Sequence, residues 1–266
     1  RALEPFDMMW LETETFDPEA LRVLRDATTT PICHGESLFG VQLSPNGEWL
    51  VAPIARVNDE DELRVRLVED PDSAIVVPYG SDAEFTDDGR WLAYSIGMSE
   101  EEEEKLRERD QPVRDDLGLV NLSTGRPDTV EAVSSFAFSD DGRYLAMRRY
   151  PPEGDRDAEG VDLVVRELAT TTDVNFGNVA EFAWQDEGEL LAMVVDAEGM
   201  AGNGVRVWEP DTGVLRTLDA QPARYSGLTW REESGDVAVV RTVDTEAEGE
   251  DAWADTAHVV VAFTGV

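Results

Sequence analysis

The chain is poor in the residues that build thiol and metal chemistry. It has one cysteine, Cys33, and two histidines, His34 and His258. A single cysteine excludes an internal disulfide and any cysteine-based metal cluster, and two histidines exclude a histidine-rich zinc site. Lysine is almost missing too: Lys105 stands alone among 22 Lys+Arg, against 58 Asp+Glu. The net charge of −36 repels phosphate backbones and anionic lipid, and no basic stripe offsets it, so neither nucleic acid nor a membrane surface is an expected partner. No apolar run approaches the ~20 residues that cross a bilayer. The opening "RALEPFDMMWLETE" lacks the basic-then-apolar order of a signal peptide, which leaves the compartment open between cytoplasm and the periplasmic or extracellular space. The acidic surface reads as a solvating one.

What the chain does have is a sentence written five times. A length of 266 residues with 41% hydrophobic content is enough for one large all-β domain. Within it recur "VQLSPNGEWLVAP" (Val41 to Pro53), "AEFTDDGRWLAYS" (Ala83 to Ser95) and "FAFSDDGRYLAMR" (Phe136 to Arg148). "FAWQDEGELLAMV" (Phe182 to Val194) and a degenerate "LTWREESGDVAVV" (Leu228 to Val240) follow. The turn glycines Gly47, Gly89, Gly142, Gly188 and Gly235 are spaced 42 to 53 residues apart, the length of one propeller blade. Each unit predicts a short strand, a tight reversal in which glycine supplies positive φ, and a second strand of aromatic and aliphatic residues. A second hairpin follows in "DLGLVNLSTGRPDTVE" (Asp116 to Glu131), "VDLVVRELATTTDVNF" (Val161 to Phe176) and "NGVRVWEPDTGVLRTL" (Asn203 to Leu218). Four strands per unit make a blade. The expected architecture is an all-β propeller of about five antiparallel blades, at 37–80, 81–134, 135–180, 181–224 and 225–266. The fifth is cut short, which leaves the ring incomplete unless an N-terminal strand completes the last blade in a five-bladed closure. Residues 1–36 form an N-terminal segment.

Two stretches depart from strand periodicity. "FDPEALRVLRDA" (Phe16 to Ala27) predicts a short helix, with Asp17 as N-cap, Pro18 at its first position and Leu21, Val23 and Leu24 on one face. "MSEEEEEKLRERDQP" (Met98 to Pro112) predicts a solvated helical excursion from the second blade. Ser99 caps it, Glu100 to Glu104 suit its positive end, Arg107 and Arg109 its negative end, and Pro112 stops it.

Each residue that could carry chemistry has a structural reading. Cys33 and His34 are neighbours that a strand would point to opposite faces. The Asp-Asp-Gly turns lack the alternating ligands and flanking helices of a calcium loop. Trp49, Trp91, Trp184 and Trp230 sit where blade-to-blade packing needs bulky aromatics.

The units "LSPNGEWLVA", "FTDDGRWLAY" and "FSDDGRYLAM" resemble propeller blades of prolyl oligopeptidase-family serine peptidases and, more loosely, of TolB-like proteins. The charged insertion before "LGLVNLSTG" (Leu117 to Gly125), the run Val161 to Met193 and "YSGLTW" (Tyr225 to Trp230) favour the peptidase side. The resemblance covers most of the chain after about residue 36. It implies a non-catalytic module that caps a C-terminal α/β-hydrolase domain, absent from this chain, and admits short peptides. That hydrolase would carry its serine on a Gly-x-Ser-x-Gly turn. Nothing here matches: "GESLFG" (Gly35 to Gly40) has one residue too many, Ser226 in "RYSGL" lacks the first glycine, and His258 lies in the apolar "TAHVVVAF". No catalytic, cofactor-binding or metal residue is assigned, and the isolated chain is expected to hydrolyse nothing. The alternative reading is a stand-alone TolB-like propeller that scaffolds a protein partner. A lyase- or lactonase-like use of the central channel, with an Asp/Glu calcium site, is a weaker third.

Overall fold

The repeated Ser/Thr-x-Asp/Asn-Gly stretch is one hydrogen-bonded turn built three times. The computed structural model describes residues 36–38, 40–56, 60–70, 72–152, 154, 158, 160–244 and 256–266. The Thr86 hydroxyl donates to Asp88 Oδ1 at 2.8 Å and accepts from the Trp91 N–H at 3.0 Å, while the same Asp88 oxygen accepts from the Arg90 N–H at 2.9 Å. Ser139 and Asp141 repeat this with the N–H groups of Arg143 and Tyr144, and Ser44 and Asn46 with those of Glu48 and Trp49. Gly47, Gly89 and Gly142 complete these reversals at φ of 74°, 66° and 65°. Ser44, Thr86 and Ser139 are buried, so each hydroxyl must meet both partners inside the protein.

The last two turns correct the expectation of five equivalent glycines. Gly188 and Gly235 are not in the left-handed region; Glu187 (φ 50°) and Glu233 (φ 51°) are. Gln185 and Arg231 stand where the first three turns have a hydroxyl. Without the hydroxyl-to-carboxylate bridge, the reversal takes its positive φ on an earlier residue.

The turns separate the second part of Asp-Asp-Gly from the first. Asp141 accepts two hydrogen bonds within its own turn, whereas Asp140 accepts from the Glu187 N–H of the next turn and lies near Asp87 and Asp186 of the adjoining turns. We therefore expect Asp141→Ala to cost about 1–2 kcal/mol, and Asp140→Ala to cost less, because relief of the Asp87 and Asp186 repulsion offsets the lost Glu187 hydrogen bond. Equal losses from the two in thermal unfolding would contradict this division of labour.

Strands leave these turns as antiparallel sheets. The first holds β1 (Glu36–Leu38) and β2 (Gln42–Leu43) on one edge of β3 (Trp49–Arg56), then β4 (Glu62–Leu67) and β5 (Ala74–Pro78). The second is β6 (Gly80–Phe85), β7 (Trp91–Ile96), β8 (Asp116–Asn121) and β9 (Arg126–Val130). The third blade runs β10 (Val133–Phe138), β11 (Tyr144–Arg149), β12 (Val161–Glu167) and the first half of β13 (Thr172–Trp184). The second half of β13 opens the fourth, with β14 (Leu191–Val195), β15 (Gly204–Glu209) and β16 (Val214–Asp219), so the two blades form one seven-stranded sheet. The fifth has three strands among the described residues, β17 (Arg224–Trp230), β18 (Val237–Asp244) and β19 (Thr256–Phe263).

The chain passes between blades through single left-handed residues: Tyr79 before β6, Ala132 before β10 and Asn178 within β13. From the second blade on, each innermost strand carries one extra residue. The pair Ser81–Ser95 is followed by Glu84–Ala93, Val133–Arg149 by Ser135–Arg148, Val179–Val195 by Glu181–Val194, and Ser226–Val240 by Thr229–Ala238. Such bulges bend a strand and increase its twist, which suits the innermost strand of a blade.

The core lies between blades. Val51, Leu63 and Val65 pack against Leu92 and Tyr94; Ala93, Leu117 and Leu119 against Phe138, Leu145 and Met147. Tyr144, Leu163 and Val165 meet Leu191, Met193 and Trp208, and Val194 and Val205 meet Tyr225 and Val239. The tryptophans do as expected, with an addition. Trp49, Trp91, Trp184 and Trp230 pack at these seams, and the indole N–H groups of Trp184 and Trp230 donate to Ala137 O (3.2 Å) and Ala183 O (3.0 Å) of the preceding blade.

The arc is open. No strand pairing joins the first sheet to the last among the described residues. The third strands of the first four blades bury Leu63, Leu117, Leu163 and Val207 almost completely, but on β19 Val260 is 72% exposed. The expected helix over Phe16 to Ala27, with Cys33 and His34, lies outside the described residues.

Candidate functional site

Alternating strand directions sort the connections onto two ends. The Asp/Asn-Gly turns lie at one, with a row of exposed carboxylates at Asp87, Asp140 and Asp186. Partial burial first, then repulsion from Asp87, Asp186 and Asp141, raises the Asp140 pKa, and the hydrogen bond from the Glu187 N–H opposes the rise. At the other end lie the connections between second and third strands, which hold the longer insertions. In the second blade this is α1 (Glu100–Glu108), closed by a Ser99/Glu102 capping box, with Lys105–Glu101 and Arg107–Glu103 ion pairs along it and no buried residue. Helix dipole and charge order agree, as the sequence indicated.

The cavities cluster at this second end. One, of about 480 Å³, lies between the end of α1 and the segment following β11, against Arg114 and Tyr150. Another, of about 460 Å³, is bounded by Ile54, Tyr79 and Met98 and by Glu62, Glu103 and Asp115. Asp115 stands between them: the Tyr150 hydroxyl accepts from its N–H at 3.3 Å and lies 3.5 Å from its carboxylate. Burial pushes the Asp115 carboxyl up; the Tyr150 hydroxyl counteracts this, and Glu103, Asp82 and Asp116 add to the rise. Burial likewise raises the Tyr150 phenol. None of these residues stands out in the sequence, because Asp115 and Tyr150 come from different blades, 35 residues apart.

Along the innermost strands, Glu84 reaches across a seam to accept from the Phe138 N–H at 3.3 Å. Burial raises its pKa; the Phe138 hydrogen bond opposes the rise and Asp87 supports it. A carboxyl with a folded pKa above its unfolded value binds more protons in the folded chain, so stability falls as pH rises through that window. Glu84→Gln keeps an acceptor and removes the charge. It should melt above the parent at pH 7 and alongside it near pH 4. A variant less stable than the parent at pH 7 would reverse the sign assigned to this charge.

The residues weighed in the sequence are dispersed. Ser37 of "GESLFG" is on β1, paired with Ala55, rather than on a strand-to-helix turn. Ser226 is on β17 and exposed. His258 is exposed on β19, and its Nδ1 meets Thr242 Oγ1 at 3.0 Å rather than a serine nucleophile. No group of three His, Cys, Asp or Glu converges as metal ligands among the described residues. No helix there is long and apolar enough to cross a membrane.

No protein-family model matches the chain, and no curated protein matches it by sequence. Solved structures do. The β-propeller domain of the trilobed protease from Pyrococcus furiosus, described as having an open velcro topology, aligns with a TM-score of 0.51 and 11% identity, over 87% of this chain and 70% of that one. A prolyl endopeptidase aligns with a TM-score of 0.50 and 15% identity, over 78% of this chain. This chain spans 32% of that endopeptidase's length. At these identities the likeness is one of architecture, and the chain has the β-propeller fold found in these peptidase domains.

Proposed function

We propose that this chain is the non-catalytic propeller module of a prolyl oligopeptidase-like serine peptidase, set over a hydrolase domain and restricting entry to short peptides. The observation that carries this reading is the alignment of most of the chain on propeller domains of two peptidases. The exposed apolar side chains of β19, with Val260 at 72%, agree with it, since a module of a larger assembly leaves such surface for a neighbour to cover.

A fluorophosphonate probe applied to source cells, followed by capture with an antibody against this chain, tests the reading directly. The captured polypeptide should carry the label and exceed the 29.4 kDa of this chain. It should cleave short peptides and spare folded proteins, and excision of 37–266 should release that size limit. Capture of an unlabelled polypeptide, or of a labelled one indifferent to the excision, defeats the proposal.

A further inference from the structure

The cavity at the end of α1 combines apolar walls with a cation. Leu106, Pro112, Pro151, Pro152 and the Tyr150 ring give it apolar walls, and Arg114 is the cation on its lining. Its volume of about 480 Å³ is in the range of small-ligand sites. Arg114 donates to Pro151 O at 2.6 Å, but its Nε is shielded and meets no acceptor, and none of the ion pairs among the described residues includes it. In a chain with 58 acidic residues, a half-buried arginine without a carboxylate is an unmet electrostatic demand. Asp110, also on the lining, already has a partner. Asp115 stands behind the Tyr150 hydroxyl. Among the described residues of the lining, Arg114 is thus a cation with no carboxylate partner, set against apolar walls.

We propose that this cavity binds a carboxylate with an apolar substituent, held by Arg114, with its side chain against Leu106 and the prolines. The C-terminus of a short peptide and a free branched acid share that chemistry. The assignment does not rest on the peptidase-module reading, since it concerns binding by this chain alone.

Calorimetric titration with acetyl-prolyl-leucine, its C-terminal amide and 4-methylpentanoate tests it on the intact chain. The peptide acid should bind, and the amide should bind at least about tenfold more weakly, as expected for loss of a charge-assisted contact. Arg114→Gln and Leu106→Glu should each weaken the acid by a similar factor. Leu106 is on a solvated helix, so its variant should fold as the parent does. Binding of 4-methylpentanoate as tight as the peptide would assign the free acid as the source; tighter peptide binding would assign the peptide terminus. No binding of either acid, equal binding of acid and amide, or undiminished binding by Leu106→Glu would overturn the proposal.

Discussion

Raising potassium chloride from about 0.1 M to about 2 M should lift the unfolding midpoint by roughly 10–20 °C. The reasoning begins with 58 acidic groups against 22 basic ones. Folding brings the excess charge onto a closed surface, and at low salt the screening length, about 10 Å, leaves carboxylates of neighbouring turns in each other's field. The repulsion has named addresses. Asp87 and Asp186 help raise the Asp140 pKa after burial, and Glu103, Asp82 and Asp116 help raise that of Asp115. If each excess charge costs only roughly 0.15 kcal/mol, within the range of exposed pairs, the sum is about 5 kcal/mol, comparable with the whole stability of an ordinary domain. Molar chloride shortens the screening length to roughly 3 Å or less and removes most of that cost. Thermal unfolding by circular dichroism in chloride, with an equal osmolality of sucrose as the comparison, separates screening from general solute exclusion. A midpoint that stays flat or falls with chloride would mean that the acidic surface is not strained in the folded chain.

Leu191→Ala should cost about 3–4 kcal/mol, a drop of roughly 8–14 °C in midpoint. Leu191 is fully buried, and its cross-strand neighbours are Trp184 on one side and Trp208 on the other. Tyr144 stacks on Trp184 with ring centroids 6.1 Å apart and meets Trp208 edge-on at the same distance. These rings cannot collapse into the vacated space without giving up that packing and the Trp184 hydrogen bond to Ala137. The cavity therefore persists, which keeps the cost clear of the lower end of the usual range, about 2–5 kcal/mol. Val260→Thr on β19 changes a side chain that is 72% exposed and should leave the midpoint almost unmoved. A loss below about 1 kcal/mol for Leu191→Ala would show that the seam between third and fourth blades carries little of the stability.

Much of this architecture is legible without coordinates, and particular residues show why. Phe136, Phe138, Tyr144 and Leu145 announce a hairpin because side chains alternate across a strand and Ser139-Asp-Asp-Gly can close in one way. Ser99 and Glu102 announce a helix start because the capping box is local. The placement of positive φ in the fourth and fifth turns was not legible: Gly188 invites it, yet Glu187 takes it once Gln185 replaces the hydroxyl. The inner-strand bulges were equally hidden, since an extra residue in one strand is defined only against the register of its partner.

The cavity beside Arg114 belongs to the same hidden class. Arg114 and Pro151 are 37 residues apart, and their hydrogen bond exists because an excursion of the second blade lies against a connection of the third.

By itself the sequence determined the repeated blade, the helical excursion and the acidity of the surface, all set by neighbours within a few residues or by composition. Tertiary structure decided which carboxylates are bound and which repel, which described third strand is exposed, and that Arg114 meets a carbonyl rather than a carboxylate. Those properties depend on distances between residues of different blades, which stacking sets and local pattern does not record.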